Sequence, residues 1–376
     1  MNHPILTVLF AFLVLSTAAF AQQTSDRTLT HDGLEREYIL HVPASYDADT
    51  PAPLLLCFHG LGSNANTNML YTNFKAIADT AGFILIHPQG TKVQNTTHWN
   101  VGGFTAESTI DDVGFTESLL ETISNEFNIN SDRIYSTGMS NGGYMSFLLA
   151  CQLSDKFAAV ASVTGSMTPE TFDECNPQHP TPILQIHGDQ DGTVPYNGDP
   201  TFTKSINQVL EYWVEFNNCS FPPTTTAIED INITDGSTVE HSIYSGGTDD
   251  VTVEHFKVFG GGHDWPGAFG NMDINASMEV WKFLSKYNLN ALSEPVGIND
   301  INKLNINIYP NPSSAFINIE GDFSKPVNFE IVSTLGKIIM TGEINADQKK
   351  IDLSHLANNL YFLKIGNISY KFLKKD

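Results

Sequence analysis

Positive charge is scarce in this sequence: 19 Lys and Arg stand against 42 Asp and Glu in 376 residues, a formal net of −23. The deficit is uneven. Residues 297–376 hold nine Lys against eight Asp and Glu, which leaves ten basic against 34 acidic residues in 1–296. So acidic a body excludes nucleic acid and anionic membranes as partners, because like charge opposes both. Long apolar runs are missing as well. The one candidate, Ile5 to Ala19, is shorter than the ~20 residues that span a bilayer. Ala19-Phe20-Ala21 gives it a small-x-small cleavage site, although no Lys or Arg precedes it. Residues 1–21 are therefore expected to be a signal peptide, with no stable membrane insertion. Cysteine is sparse, at four residues, and no C-x-x-C or H-x-x-x-H spacing offers a zinc site. No metal and no cofactor is expected. Cys57 lies inside an apolar run and reads as a buried thiol. Cys151 ends a predicted helix and Cys175 follows in a loop, so these two are the favoured disulfide, which export permits.

What is present is a regular alternation. Predicted strands at Glu37–Val42, Leu54–Phe58, Phe83–Ile86, Ile134–Thr137, Ala159–Val163, Ile183–Ile186 and Val253–Phe259 are separated by helical stretches. The helices fall at Asn68–Ala81, Asp111–Asn125, Gly142–Gln152, Thr203–Asn217 and Ile274–Lys286. Several strands are continuous apolar runs, as in a parallel sheet covered on both faces. The pattern predicts an α/β fold, a doubly wound, mostly parallel sheet, over residues 28–287. A polar, Pro- and Gly-containing linker follows at 288–299. Residues 300–376 then carry about seven short strand-like segments separated by turns, the pattern of a small all-β sandwich.

Chemistry concentrates in the first unit. Arg133 to Thr137 runs as a strand into Gly138-Met139-Ser140-Asn141-Gly142, and a helix follows. This is a G-x-S-x-G elbow, in which a sharp turn lifts the Ser140 hydroxyl clear of the sheet. A serine needs a base and a group to orient that base, and in this fold the chain order is Ser, acid, His. His263 follows Gly260-Gly261-Gly262 past a predicted strand. Asp189 and Asp191 both lie past the strand Ile183–Ile186, and spacing alone favours Asp191 only slightly. Oxyanion donors are expected from the backbone N–H of Asn141 and of Leu61, in the turn His59-Gly60-Leu61-Gly62. Trp99 and Trp265 are candidates to line the substrate pocket.

The motifs HGLGSN, THWN, DDVGF, GMSNGG, HGDQDGTVPY and GGGHDWPG, in that order, resemble the extracellular polyhydroxybutyrate depolymerase and feruloyl esterase group. These are α/β-hydrolases similar to carbohydrate esterase family 1. The resemblance implies a Ser140–Asp191–His263 triad, prefers Asp191 to Asp189, and implies a bridge like Cys151–Cys175 and no metal. The tail segments Tyr309-Pro310-Asn311-Pro312-Ser313, Leu335-Gly336-Lys337 and Leu360-Tyr361-Phe362-Leu363-Lys364 resemble the C-terminal sorting domain of type IX secretion substrates. That implies export through the secretion machinery. The resemblance leads to an expected serine esterase acting on feruloyl or acetyl esters of plant polysaccharide. A polyester depolymerase is the alternative, disfavoured because no substrate-binding domain is evident. A non-catalytic surface protein on the same fold would not need all three triad candidates.

Overall fold

Ten strands form one sheet in the computed structural model. It describes residues 23–289 and 291–292 and, within 307–375, all but 322–325, 334–337, 346–348 and 366–367. The expected signal peptide and most of the expected linker lie outside the described residues. Two compact units, Met1–Glu294 and Pro295–Asp376, divide the chain.

In the first unit the strands are β1 (Gln23–His31), β2 (Leu34–Val42), β3 (Ala52–Phe58), β4 (Ile84–Pro88), a hairpin of β5 (Thr91–Val93) and β6 (Thr96–His98), β7 (Ile129–Met139) and β8 (Ala159–Val163). They continue with β9 (Ile183–Gly188), β10 (Thr224–Ala227), β11 (Thr238–Tyr244), β12 (Val253–Phe259) and a small pair, β13 (Tyr287–Asn288) and β14 (Ala291–Leu292). Between them run α1 (Ala65–Thr72), α2 (Phe74–Ala81), α3 (Asp112–Glu126), α4 (Asn141–Gln152), α5 (Pro169–Glu174), α6 (Ile206–Phe216) and α7 (Ala276–Leu284).

The sheet order is β1-β2-β4-β3-β7-β8-β9-β12-β11-β10. Its six central strands, β4 to β12, pair in parallel, and antiparallel strands close both edges. β3 shows why the apolar runs are continuous. Leu54, Leu56 and Phe58 enter a core shared with α3, α4 and α6, while Leu55 and Cys57 enter a second core with α2 and α7. Successive side chains alternate faces, so a strand buried on both must be apolar throughout. The carboxyl ends of the parallel strands share one edge of the sheet, where α/β proteins place their sites.

Two sequence expectations change. The helix expected at 68–81 is two helices, α1 and α2, broken at Asn73, whose φ of 50° lies in the left-handed region. β1 begins five residues before the expected domain start, because it is a polar edge strand that alternates between exposed and half-buried positions.

The second unit holds β15 (Asn307–Tyr309), β16 (Phe316–Glu320), β17 (Val327–Ser333), β18 (Ile338–Ile344), β19 (Lys350–Asp352), β20 (Asn359–Ile365) and β21 (Ile368–Lys374). They form two antiparallel sheets, β15-β16-β19 and β18-β17-β20-β21. Ile317 and Ile319 from one sheet and Phe329, Ile331 and Leu363 from the other share a core.

Candidate active site

Ser140 sits between β7 and α4 with φ 55° and ψ −123°, a conformation that a side chain rarely adopts. The surrounding contacts hold it there. Its N–H donates to Val163 O at 2.9 Å, and its own carbonyl accepts from Gly143 N at 2.7 Å and Tyr144 N at 3.0 Å. Glycine is required on both sides: a Cβ at Gly138 would lie 2.5 Å from the Gly142 carbonyl carbon, and one at Gly142 2.1 Å from Phe58 O. The strand, the turn and the helix can pack this closely only without those side chains. Ser140 thus stands at the N-terminus of α4, the positive end of the helix.

Asp191 and His263 meet directly. His263 Nδ1 donates to Asp191 Oδ2 at 2.7 Å, so Nε2 is left as the basic nitrogen. The Asp191 side chain is fully buried, and its Oδ1 accepts from Thr193 N and Val194 N, both at 2.8 Å. Burial pushes this carboxyl up. The bond and charge of His263, the Val194 N–H and the nearby His187 outweigh it, and the pKa ends below the ordinary value. Asp189 does other work: its Oδ1 accepts from Gly260 N at 2.8 Å and so ties the β9 loop to the β12 loop.

His187 lies 3.4 Å from Asp191 Oδ2. It is buried and its pKa is lowered to about 4 by desolvation, so it is neutral. Its Nε2–H donates to Val194 O at 2.9 Å, and Nδ1 accepts from Gln185 Nε2 at 3.0 Å. Both nitrogens are committed, and only His263 offers a free basic nitrogen beside Asp191.

The two expected oxyanion donors occupy adjoining turns. Asn141 is the first residue of α4, so its N–H has no acceptor one turn back. The turn after β3 faces Ser140, since a Cβ at Gly60 would lie 3.4 Å from Ser140 Cβ. His59 fixes that turn. Its Nδ1–H donates to Gly60 O at 2.8 Å while Nε2 accepts from Gly90 N at 2.9 Å. Burial lowers its pKa to about 4, which keeps the imidazole in this neutral form.

Trp99 and Trp265 do not line a pocket. They are 0% and 1% exposed, and both pack in the core. Trp99 instead braces the site from behind. Its indole N–H donates to His59 O at 2.9 Å. Its backbone is gripped by the Asn141 side chain, which accepts from Trp99 N at 2.7 Å and donates to Trp99 O at 3.0 Å. Trp265 donates to Ser277 Oγ at 3.0 Å. A large aromatic near a site can serve as pocket wall or as core, and its place in the chain does not separate the two roles. The Asn141 clamp has a weak sequence signal, a polar residue straight after the nucleophile.

A Cys151–Cys175 disulfide joins α4 to the end of α5, and Cys57 and Cys219 are free. Among the described residues one group has metal-ligand types in reach of one another: His31, Asp32 and Asp111, with ligand atoms within 4.8 Å. These contacts are ion-pair distances of 3.6 and 3.7 Å, Asp111 also caps α3, and none of the three belongs to the serine site.

A doubly wound sheet with a serine elbow and an Asp–His pair on its carboxyl edge defines the α/β-hydrolase class. Comparison with known proteins narrows this. Residues 44–224 match the phospholipase/carboxylesterase family, and residues 307–375 match the secretion system C-terminal sorting domain. The chain is 27% identical over 254 residues to a bifunctional acetylxylan esterase/xylanase of Neocallimastix patriciarum, covering 67% of this chain and 34% of that protein. It is 29% identical over 266 residues to feruloyl esterase B of Piromyces equi, covering 68% and 46%. The chain thus spans less than half the length of these two relatives. An acetyl xylan esterase from Aspergillus awamori shares the fold, with a TM-score of 0.51 and 16% identity over 69% of this chain and 98% of that one.

Proposed function

We propose that this chain is a secreted serine esterase that cleaves carboxylic esters, feruloyl or acetyl, on plant polysaccharide. The observation that carries the reading is the Asp191–His263 hydrogen bond at the same sheet edge as the strained Ser140 elbow. In the reaction His263 Nε2 takes the Ser140 proton as Oγ attacks the ester carbonyl. The N–H groups of Leu61 and Asn141 hold the oxygen that becomes negative. Asp191 remains ionised and stabilises the imidazolium. His263 then returns the proton to the departing alcohol, and water, activated by the same nitrogen, releases the acid from Ser140. The relatives that bear feruloyl and acetylxylan esterase names support the substrate class. The sorting domain supports export, with residues 1–21 as the signal peptide and type IX secretion as the route.

Ser140→Ala is expected to remain folded and to lose all turnover of p-nitrophenyl acetate and methyl ferulate. If the purified variant kept more than a few per cent of wild-type turnover, Ser140 would not be the nucleophile.

A further inference from the structure

Phe104 is 39% exposed although everything behind it is fixed. It sits on a short turn whose two glycines, Gly102 and Gly103, have φ of 71° and 52°. A Cβ at Gly103 would come within 3.0 Å of the Thr168 side chain, so the turn presses against α5. Thr105 Oγ1 accepts from Val101 N at 2.8 Å and donates to Gly102 O at 2.8 Å. Val101 O in turn accepts from Thr168 Oγ1 at 3.1 Å and Thr171 Oγ1 at 3.2 Å. The turn is held from inside and presents a phenyl ring outward.

Beneath that ring lies Tyr144, 1% exposed, with centroids 5.1 Å apart and planes at 77°. Beside it lies Phe202, half-buried, at 6.2 Å and 90°. Both partners belong to the serine site's own elements. Tyr144 N–H donates to the Ser140 carbonyl. The Tyr144 hydroxyl donates to Thr203 Oγ1 at 2.5 Å, in the loop that continues from Asp191. Three aromatic rings therefore join the nucleophile's helix to the acid's loop, with one ring left open to solvent.

We propose that Phe104, backed by buried Tyr144 and flanked by Phe202, is a subsite for a planar aromatic acyl group, a hydroxycinnamoyl rather than an acetyl; this rests on the esterase reading. The clamp bears on which side of the ester meets the ring. Asn141 grips Trp99, so the segment leading to Phe104 is anchored to the residue whose N–H receives the oxyanion. His263 approaches from another loop, past β12, and must protonate the alcohol as it leaves. On this proposal the alcohol leaves along the His263 loop, and the acyl group takes the side of Phe104. An acetyl group carries no ring to set against it. A cinnamoyl group carries a flat ring that can pack against an exposed phenyl, and aromatic pairs favour this contact beyond the area they bury.

The test compares wild type, Phe104→Ala and Phe104→Trp on two soluble esters. Methyl ferulate carries its ring on the acyl side and phenyl acetate on the alcohol side. Phe104→Ala is expected to lower kcat/KM for methyl ferulate about tenfold, mainly through KM, with phenyl acetate changed by less than about twofold. Phe104→Trp should restore most of the loss. Equal losses on both esters would make Phe104 a structural residue and overturn the proposal. A loss confined to phenyl acetate would move the subsite to the alcohol side, and no loss on either would remove it. A wild type inactive on both esters would instead overturn the esterase reading, and the subsite with it.

Discussion

Asp191→Asn isolates the one contact on which the mechanism turns. Asp191 Oδ1 accepts two backbone N–H groups, from Thr193 and Val194 at 2.8 Å each, in a buried setting. An asparagine there must keep its carbonyl oxygen toward those donors, because an amide N–H in that place would leave three donors facing one another. Its NH2 is then turned toward His263 Nδ1, where the wild-type oxygen accepts at 2.7 Å. Nδ1 must become the acceptor, the imidazole proton moves to Nε2, and the nitrogen proposed to take the Ser140 proton no longer can. A change of this type in a serine protease costs about 10⁴-fold in kcat, roughly 5.4 kcal/mol of barrier. Asp189→Asn is the matched control. Its amide oxygen can still accept from Gly260 N, so the loss should stay within about threefold, the scale of one exposed neutral bond. Both variants are assayed for kcat/KM on one soluble ester, with circular dichroism to check folding. A mild loss at Asp191, or a loss at Asp189 as large, would refute the tautomer argument.

Asn141→Ala should destabilise the catalytic unit by about 2–6 kcal/mol, since it leaves the buried N–H and carbonyl of Trp99 unpaired at ~1–3 kcal/mol each. Urea unfolding measures this, and a change below about 1 kcal/mol would show that Trp99 finds other partners. The Asp191 carboxyl titrates below its ordinary value in the folded chain. Its contribution is therefore complete above the unfolded value of ~3.9 and is lost as pH falls through the lower folded value. The wild-type urea midpoint should drop more steeply below pH 4 than that of Asp191→Asn; parallel curves would dismiss the linkage.

Much of the first unit is legible in the amino-acid sequence, because burial on both faces makes β3 and β8 nearly continuous runs of apolar and small residues. The expected bounds of Ala159–Val163 and Val253–Phe259 coincide with the strands themselves. β1, β10 and β11 leave no such trace. β1 and β10 are the two edges of the sheet and β11 lies next to β10, and there half-buried and exposed polar positions replace apolar ones and the pattern fades. The break between α1 and α2 is hidden for a different reason, since Asn73 adopts a left-handed conformation that spacing does not encode. In the candidate site the motif residues are legible because each sits in a glycine-rich turn of fixed spacing. The bracing layer is not. His59, the Asn141 side chain and Trp99 act through contacts between segments some 30 to 40 residues apart, and no local pattern records those.

The Cys151–Cys175 bond reaches further than the loop it closes. Cys151 is in the last turn of the helix that starts at Ser140, and Cys175 ends the short helix whose Thr168 and Thr171 hold Val101. Val101 belongs to the seat of Phe104. One covalent link therefore connects α4 to the support of the exposed ring. A chain made where thiols stay reduced would keep Ser140, Asp191 and His263 but lack this tie. On the proposed export route and acyl subsite, oxidation would finish the part of the molecule that distinguishes one acyl group from another.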